Sequence, residues 1–118
     1  MPFLTKLQTE HVKGNDWKVI NSLVYVTEKL KKRIEVPVGF VTDYASIPKF
    51  LLGVFGRPSG KMAEPATLHD YLYRTKTDFS RKEADDIFFE ALRGKGISWF
   101  KAYTLYAGVR VAGSSSFR

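Results

Sequence analysis

The sequence predicts an α+β domain in which a small antiparallel β-sheet precedes a set of packed helices. Short segments rich in β-branched and aromatic residues lie within residues 1–42, and apolar residues recur at helical spacing over residues 46–113. The chain has 118 residues, of which 44% are hydrophobic and 26% are charged. Because this length and balance are typical of one globular domain, we expect residues 1–118 to form a single domain.

Three segments in the first part of the chain are predicted strands, at residues 17–20, 23–27 and 33–38. The first two are dense in valine, isoleucine and aromatic residues, and the third alternates charged and apolar side chains. Pro37 has no backbone N–H, which favours a strand end or a sheet edge at that point. We expect these strands to form a small antiparallel sheet or meander.

Two helices are predicted next. Ser46-Ile47-Pro48 resembles an N-cap followed by a proline in the first turn, and it predicts a short helix that ends at Gly56. Residues 57–60 are a predicted loop. Pro65 is expected to open the second helix.

Capping signals predict two further helices. The segment Ser80-Arg-Lys-Glu83 matches a capping box, in which the serine oxygen and the glutamate side chain each satisfy a backbone N–H. The helix that it starts is expected to end at Gly94. Ser98 is the predicted N-cap of a last helix that ends before Gly113.

Composition excludes several classes of site. The chain has no cysteine, which excludes disulfides, thiolate zinc sites and cysteine nucleophiles. The net charge of +7 favours anionic partners. The densest basic cluster, Lys29, Lys31, Lys32 and Arg33, is predicted to be a solvated turn between strands. Because no recognition element accompanies it, we do not expect nucleic acid to be a partner.

The sequence predicts neither a membrane span nor a signal peptide. The longest apolar runs are short, whereas a span needs about 20 apolar residues. The first residues contain no basic segment followed by an apolar stretch.

One carboxylate is predicted to face the protein interior. Asp85 shares a stripe with Phe88 and Leu92 on the helix that Ser80 caps, and an inward carboxylate needs a partner. His69 lies on the preceding helix, and the short connection favours antiparallel packing of the two helices. Tyr73 follows His69 by one turn on the same face. A His–Asp pair of this kind is a general base, so His69, Asp85 and Tyr73 are the candidate catalytic group.

Hard oxygen donors lie near this predicted pair in the sequence. Asp70 points about 100° away from His69 on an ideal helix and is available for another task. Asp43 and Asp70, with the backbone carbonyls at Asp43 and Tyr44, form a donor set that suits calcium better than zinc. In the alternative interpretation, His69 is a buried residue bonded to a backbone carbonyl and Asp70 is a surface charge.

Three segments of the chain resemble a family of small uncharacterised proteins from tailed bacteriophages and prophages. They are Phe40-Val-Thr-Asp-Tyr-Ala-Ser-Ile-Pro48, Ala66-Thr-Leu-His-Asp-Tyr-Leu-Tyr73, and the pattern that runs from Arg81 through Ala84-Asp85 to Phe88. The resemblance covers about residues 34–113 and implies a phage protein, but no activity.

The segment His69-Asp-Tyr-Leu-Tyr73 is similar to the His-Asp-x-x-Tyr helix of phospholipase A2 enzymes, especially the small bacterial and fungal type. The resemblance implies a phospholipase A2-like set of packed helices. It also implies calcium ligands at Asp43 and Asp70, with His69 as the base and Asp85 as its orienting group. The disulfides of those enzymes are absent here, and the interval from His69 to Asp85 is shorter.

Two functions therefore stay open. The first is a phage-encoded, calcium-dependent phospholipid hydrolase, for which the positive charge favours an anionic phospholipid surface. The second is a non-catalytic virion component, in the tail or as a head accessory, that uses the same fold. Both imply other virion proteins as partners and a location in the virion or the host cytoplasm.

Overall fold

The architecture was established from a computed structural model that describes residues 3–14, 16–28, 31–44, 47–55, 60–114 and 117. The chain divides into two compact units, Met1–Asp43 and Tyr44–Arg118. The described strands lie in the first unit and the described helices in the second, which agrees with the predicted α+β class. The predicted grouping of both parts into a single domain stays a prediction.

The described residues of the first unit form two antiparallel sheets. Strands β1 (Gln8–Lys13), β2 (Asp16–Asn21) and β5 (Val41–Thr42) form a three-stranded sheet in the order β1-β2-β5. Strands β3 (Leu23–Val26) and β4 (Arg33–Val36) form a separate hairpin, in which Leu23 pairs with Val36. The apolar side chains of β3 and β4 supply much of the core of this unit because Leu23, Tyr25 and Val36 are fully buried.

The prediction of three strands in one sheet was incomplete. The three predicted strands are present as β2, β3 and β4, but β1 and β5 were missed. The β1 sequence is almost entirely polar and lies at a sheet edge, and β5 has only two residues. Neither shows the apolar alternation that marks a half-buried strand. Pairing with β2 therefore defines both strands.

The basic segment after β3 is a turn between strands, as predicted. The backbone N–H of Thr27 donates to the carbonyl of Lys32 at 2.8 Å, and Lys31 adopts a left-handed φ of 56°. Lys31, Lys32 and Arg33 are exposed, and Lys29 lies outside the described residues.

Four α-helices are present in the described part of the second unit. They are α1 (Lys49–Phe55), α2 (Ala63–Arg74), α3 (Arg81–Gly94) and α4 (Trp99–Ala112). A short 3-10 turn at Gly60–Met62 leads into α2. Helix α2 begins at Ala63, two residues before the predicted start at Pro65. The predicted cap at Ser46, the predicted end at Gly56 and the predicted loop residues 57–59 lie outside the described residues.

The caps of α3 and α4 follow the sequence. Ser80 Oγ accepts the backbone N–H of Glu83 at 3.1 Å, and a Glu83 carboxylate oxygen accepts the backbone N–H of Ser80 at 2.9 Å. Ser98 caps α4 by accepting the N–H of Lys101, and α4 ends before Gly113. Local sequence thus determines where these two helices begin.

Helices α2, α3 and α4 bury their facing sides in the core of the second unit. Fully or almost fully buried apolar side chains come from each helix: Leu68, Leu72, Ala84, Ile87, Phe88, Ala91, Leu92, Ala102, Leu105 and Val109. Helix α1 approaches α4 at Gly108, where an added Cβ would collide with Leu51. In the described part of the chain, no helix combines the length and apolar character needed to cross a bilayer.

The outer side of α4 is unusually aromatic. Trp99, Phe100 and Tyr103 are 57%, 76% and 48% exposed, and the rings of Trp99 and Tyr103 stack 4.9 Å apart. Helix α4 contains no acidic residue. This exposed aromatic row, defined as Trp99, Phe100 and Tyr103, lies outside the core that the helices share.

We expect Ser80→Ala to lower the free energy of unfolding by about 1 kcal/mol, because the variant loses the oxygen that caps α3. Glu83→Gln is the matched control, since glutamine can still accept the N–H of Ser80 and complete the capping box. Urea denaturation followed by circular dichroism measures both. A Ser80→Ala variant as stable as the parent would contradict the assignment of this cap, and a loss in Glu83→Gln would measure the separate contribution of the Glu83 charge.

Candidate functional site

Helices α2 and α3 bring His69 and Asp85 into direct contact. His69 Nε2 lies 2.8 Å from Asp85 Oδ1, and both side chains are completely buried. His69 lies in the middle of α2, and Asp85 lies in the second turn of α3 on the stripe that also carries Phe88 and Leu92. The contact predicted between these two residues is therefore present.

Tyr73 joins the same carboxylate oxygen. It follows His69 by one helical turn, and its hydroxyl donates to Asp85 Oδ1 at 2.6 Å. The His69 ring contacts two aromatic rings, with centroid distances of 4.2 Å to Tyr73 and 4.6 Å to Phe88. Packing against these two rings restricts rotation of the imidazole, so its orientation toward Asp85 is fixed sterically as well as by hydrogen bonding.

The second carboxylate oxygen binds a residue that the sequence analysis missed. Arg110, in the last turn of α4, donates from Nη1 to Asp85 Oδ2 at 2.9 Å, and its own side chain is 32% exposed. Its position 25 residues after Asp85 left no local pattern to find it. The useful signal was chemical, because an inward carboxylate in a strongly basic chain is expected to attract a cation.

Three donors therefore keep Asp85 ionised. Burial alone would raise the pKa of Asp85, but the hydrogen bonds from His69, Tyr73 and Arg110 outweigh burial and lower the pKa below its ordinary value. An ionised carboxylate only accepts hydrogen bonds, so the proton between the pair belongs to His69 Nε2. In the neutral imidazole that a general base requires, the other ring nitrogen, Nδ1, is then the acceptor.

The charge of Asp85 shifts the pKa values of its partners. Burial, together with the hydrogen bond to Asp85, raises the pKa of the Tyr73 phenol far above its ordinary value, so Tyr73 remains a donor. The same carboxylate raises the pKa of Arg110 through their hydrogen bond. We name His69, Tyr73, Asp85 and Arg110 the Asp85 network.

The predicted calcium ligands are found in different settings. Asp70 is completely buried and accepts a hydrogen bond from Arg74 Nη1 at 3.1 Å. Tyr44 has a left-handed φ of 61°, and its carbonyl accepts the N–H of Ile47 at 3.0 Å. Asp43 ends the first unit, whereas Tyr44 and Asp70 belong to the second. The proposed convergence of Asp43 with Asp70 stays a prediction.

The donor types are those that calcium prefers, since carboxylate and carbonyl oxygens are hard ligands. The Arg74 guanidinium competes for the Asp70 carboxylate and would have to move for a cation to bind there. Within the described ranges, no group of three or more histidine, cysteine, aspartate or glutamate side chains is arranged to hold a metal ion.

Asp86, the residue after Asp85 on α3, makes a separate pair of contacts. Its side chain is half-buried and accepts hydrogen bonds from Lys82 at 2.8 Å and from the Tyr106 hydroxyl at 2.9 Å. Beside the Asp85 network, the rings of Phe117 and Tyr73 meet edge to face at a centroid distance of 5.2 Å.

The fold and the site define an α+β protein whose helical unit carries a buried His–Asp pair. The family described as protein of unknown function (DUF1353) matches residues 17–109, and the chain belongs to this family. The match includes His69, Tyr73 and Asp85 and ends one residue before Arg110. No curated protein and no solved structure matches the chain.

We expect the stability of the protein to fall in acid because of Asp85. Its folded-state pKa is lowered, so its stabilising charge is fully present above the unfolded value of about 3.9 and is lost as the pH falls through the folded value. Asp85→Asn should be about 1–2 kcal/mol less stable at pH 7, because asparagine accepts weaker hydrogen bonds than the carboxylate does. It should also lose less stability than the parent between pH 4 and pH 2.

Urea denaturation over this pH range measures both effects. Asp78→Asn is the matched control because Asp78 is exposed in the connection between α2 and α3. Parallel stability curves for the parent and Asp85→Asn would contradict the assignment of a lowered pKa to Asp85.

Proposed function

We propose that this chain is a phage-encoded hydrolase of phospholipid esters with a phospholipase A2-like site. The observation that carries the proposal is the 2.8 Å contact of His69 Nε2 with Asp85 Oδ1, reinforced by Tyr73 on the same oxygen. The sequence resemblance to phage proteins and to phospholipase A2 enzymes supports the source and the substrate class. The net charge of +7 supports an anionic phospholipid surface as the place of action.

In this proposal His69 is the general base. Nδ1 of His69 takes a proton from water, and the water oxygen attacks the carbonyl carbon of the ester. Asp85 stabilises the imidazolium that forms, and Tyr73 keeps the carboxylate in place. The imidazolium then returns the proton to the leaving alcohol oxygen as the carbon–oxygen ester bond breaks. The products are a fatty acid and a lysophospholipid.

Asp43, the Tyr44 carbonyl and Asp70 are the residues proposed to hold calcium. Calcium, when bound, would polarise the ester carbonyl and stabilise the negative charge that develops on its oxygen. Arg74 neutralises Asp70 in the structure. Arg74→Gln therefore tests whether this cation and calcium compete for one carboxylate.

We expect the protein to release fatty acid from mixed vesicles of neutral and anionic phospholipid when calcium is present. His69→Gln should reduce the rate by at least about 100-fold, because it removes the base. His11→Gln is the matched control, since His11 is the other histidine of the chain and is exposed in β1. If the intact protein releases no fatty acid at any calcium concentration, the hydrolase proposal is wrong.

A second candidate function is a non-catalytic component of the virion. Two observations favour it. His69, Tyr73 and Asp85 have no exposed surface, so their network can fix the register of the helices without meeting a substrate. The exposed aromatic row on α4 offers a surface of the kind found at the centre of protein interfaces.

For this candidate we expect the protein to occur in a fixed number of copies in purified phage particles. Trp99→Ser combined with Phe100→Ser should abolish incorporation while the purified variant remains folded. Val12→Ser is the control, because Val12 is half-exposed on β1. Quantitative mass spectrometry of particles and of lysates measures the outcome. Presence in lysates together with absence from particles would exclude the structural role.

A further inference from the structure

We propose that Arg110 is a positioning residue for the His69–Asp85 pair: by holding Asp85 Oδ2, it presents Oδ1 to His69 and keeps the proton of the imidazole on Nε2. The two carboxylate oxygens of Asp85 have different partners. Oδ1 accepts from His69 at 2.8 Å and from Tyr73 at 2.6 Å, whereas Oδ2 accepts from Arg110 at 2.9 Å. The carboxylate is thus held at both ends, and rotation about its Cβ–Cγ bond would break contacts on either side.

The backbone that carries Arg110 is itself tied to α3. Arg81, the first residue of α3, donates from Nη2 to the carbonyl of Val109 at 3.0 Å and to the carbonyl of Arg110 at 2.5 Å. The Arg110 carbonyl is one of the last carbonyls of α4, which have no partner within the helix, whereas the Val109 carbonyl also accepts the N–H of Gly113 at 2.9 Å. Because Asp85 lies on the next turn of the same helix as Arg81, α3 holds both the carboxylate and the chain segment that carries its cation.

The end of α4 also approaches the pair closely. A Cβ added at Gly113 would lie 2.8 Å from the Tyr73 hydroxyl and would collide with the carbonyl of Val109. Only glycine allows this approach while Tyr73 keeps its hydrogen bond to Asp85. The last turn of α4 is therefore seated against the hydroxyl that shares Oδ1 with His69.

Removing the guanidinium of Arg110 changes the protonation state that Asp85 favours. The guanidinium of Arg110 is always charged, so it compensates the buried carboxylate directly, whatever the charge of the imidazole. Without that cation, burying Asp85 as a protonated, neutral group costs less free energy than burying it as an ionised carboxylate. A protonated Asp85 is a donor as well as an acceptor, and it no longer requires the proton of the imidazole to be on Nε2.

The consequence for chemistry rests on the proposed function, but the positioning itself does not. A general base at His69 needs Nδ1 to be the acceptor nitrogen, and that arrangement exists only while Nε2 carries the proton. Arg110 would then act on turnover through Asp85 without contacting the substrate. A loss in kcat at unchanged KM is the expected signature.

The test uses the imidazole of His69 directly. In the full-length chain carrying His11→Gln, His69 is the single histidine, and ¹⁵N-labelled histidine reports the protonation of each ring nitrogen by long-range ¹H–¹⁵N correlation. In the His11→Gln parent we expect a protonated Nε2, an unprotonated Nδ1, and a slowly exchanging Nε2 proton. Arg110→Met should exchange that proton about tenfold faster or more, as expected for the loss of one charge-assisted hydrogen bond in the network.

Two further variants distinguish a positioning role of Arg110 from a packing role. Arg110→Lys keeps a cationic donor and should restore slow exchange at least in part, whereas a lysine variant that matches the methionine variant would overturn the proposal. Arg93→Met is the matched control, because Arg93 lies on α3 and donates to the carbonyl of Ile97 rather than to Asp85. If Arg110→Met does not fold, Arg110→Gln takes its place. A folded methionine or glutamine variant with the ring nitrogen signals of the parent also overturns the proposal.

The activity measurement is made separately. If the parent chain hydrolyses phospholipid, Arg110→Met should lower kcat and leave KM unchanged, and equal kcat values would overturn the role in turnover. If the parent chain hydrolyses nothing, the proposed function fails while the imidazole spectra still decide the role of Arg110.

Discussion

The helical unit depends on one buried charge, the carboxylate of Asp85. An ionised carboxylate without partners is too costly to bury, so α3 can pack only where the neighbouring helices bring donors to it. Helix α2 supplies His69 and Tyr73, and α4 supplies Arg110. A shift of α2 or α4 by one residue would rotate its side chains by about 100° and remove the donor. The network therefore defines the register of three helices as well as the chemistry at their centre.

The same hydrogen bonds serve both candidate functions. A general base and a structural histidine each need a fixed ring and a compensated carboxylate, and the Asp85 network provides both. What distinguishes the two functions is access, because hydrolysis requires an ester and a water to reach His69, whereas a structural role does not. His69, Tyr73 and Asp85 are completely buried. Whether an ester and a water can reach His69 therefore distinguishes the two candidate functions more directly than any bond length does.

The side chains of two adjacent residues of α2 lie in separate environments. His69 and Asp70 are adjacent, but on a helix their side chains point about 100° apart. His69 meets Asp85, and Asp70 meets Arg74 one turn later on its own helix. In each case a buried acid is paired with a base. Calcium at Asp70 would enter a site where a cationic side chain already provides this compensation.

The sequence by itself determined the α+β class, the caps of α3 and α4, and the inward direction of Asp85. These features depend on residues a few positions apart, such as Ser80 with Glu83 or Asp85 with Phe88, and helical geometry relates them directly. Tertiary structure alone decided that β1 and β5 are strands, that Arg110 completes the carboxylate, and that α4 leaves an aromatic row exposed. Those features depend on pairing between distant segments, and a polar edge strand or an arginine 25 residues away carries no local signal of its partner.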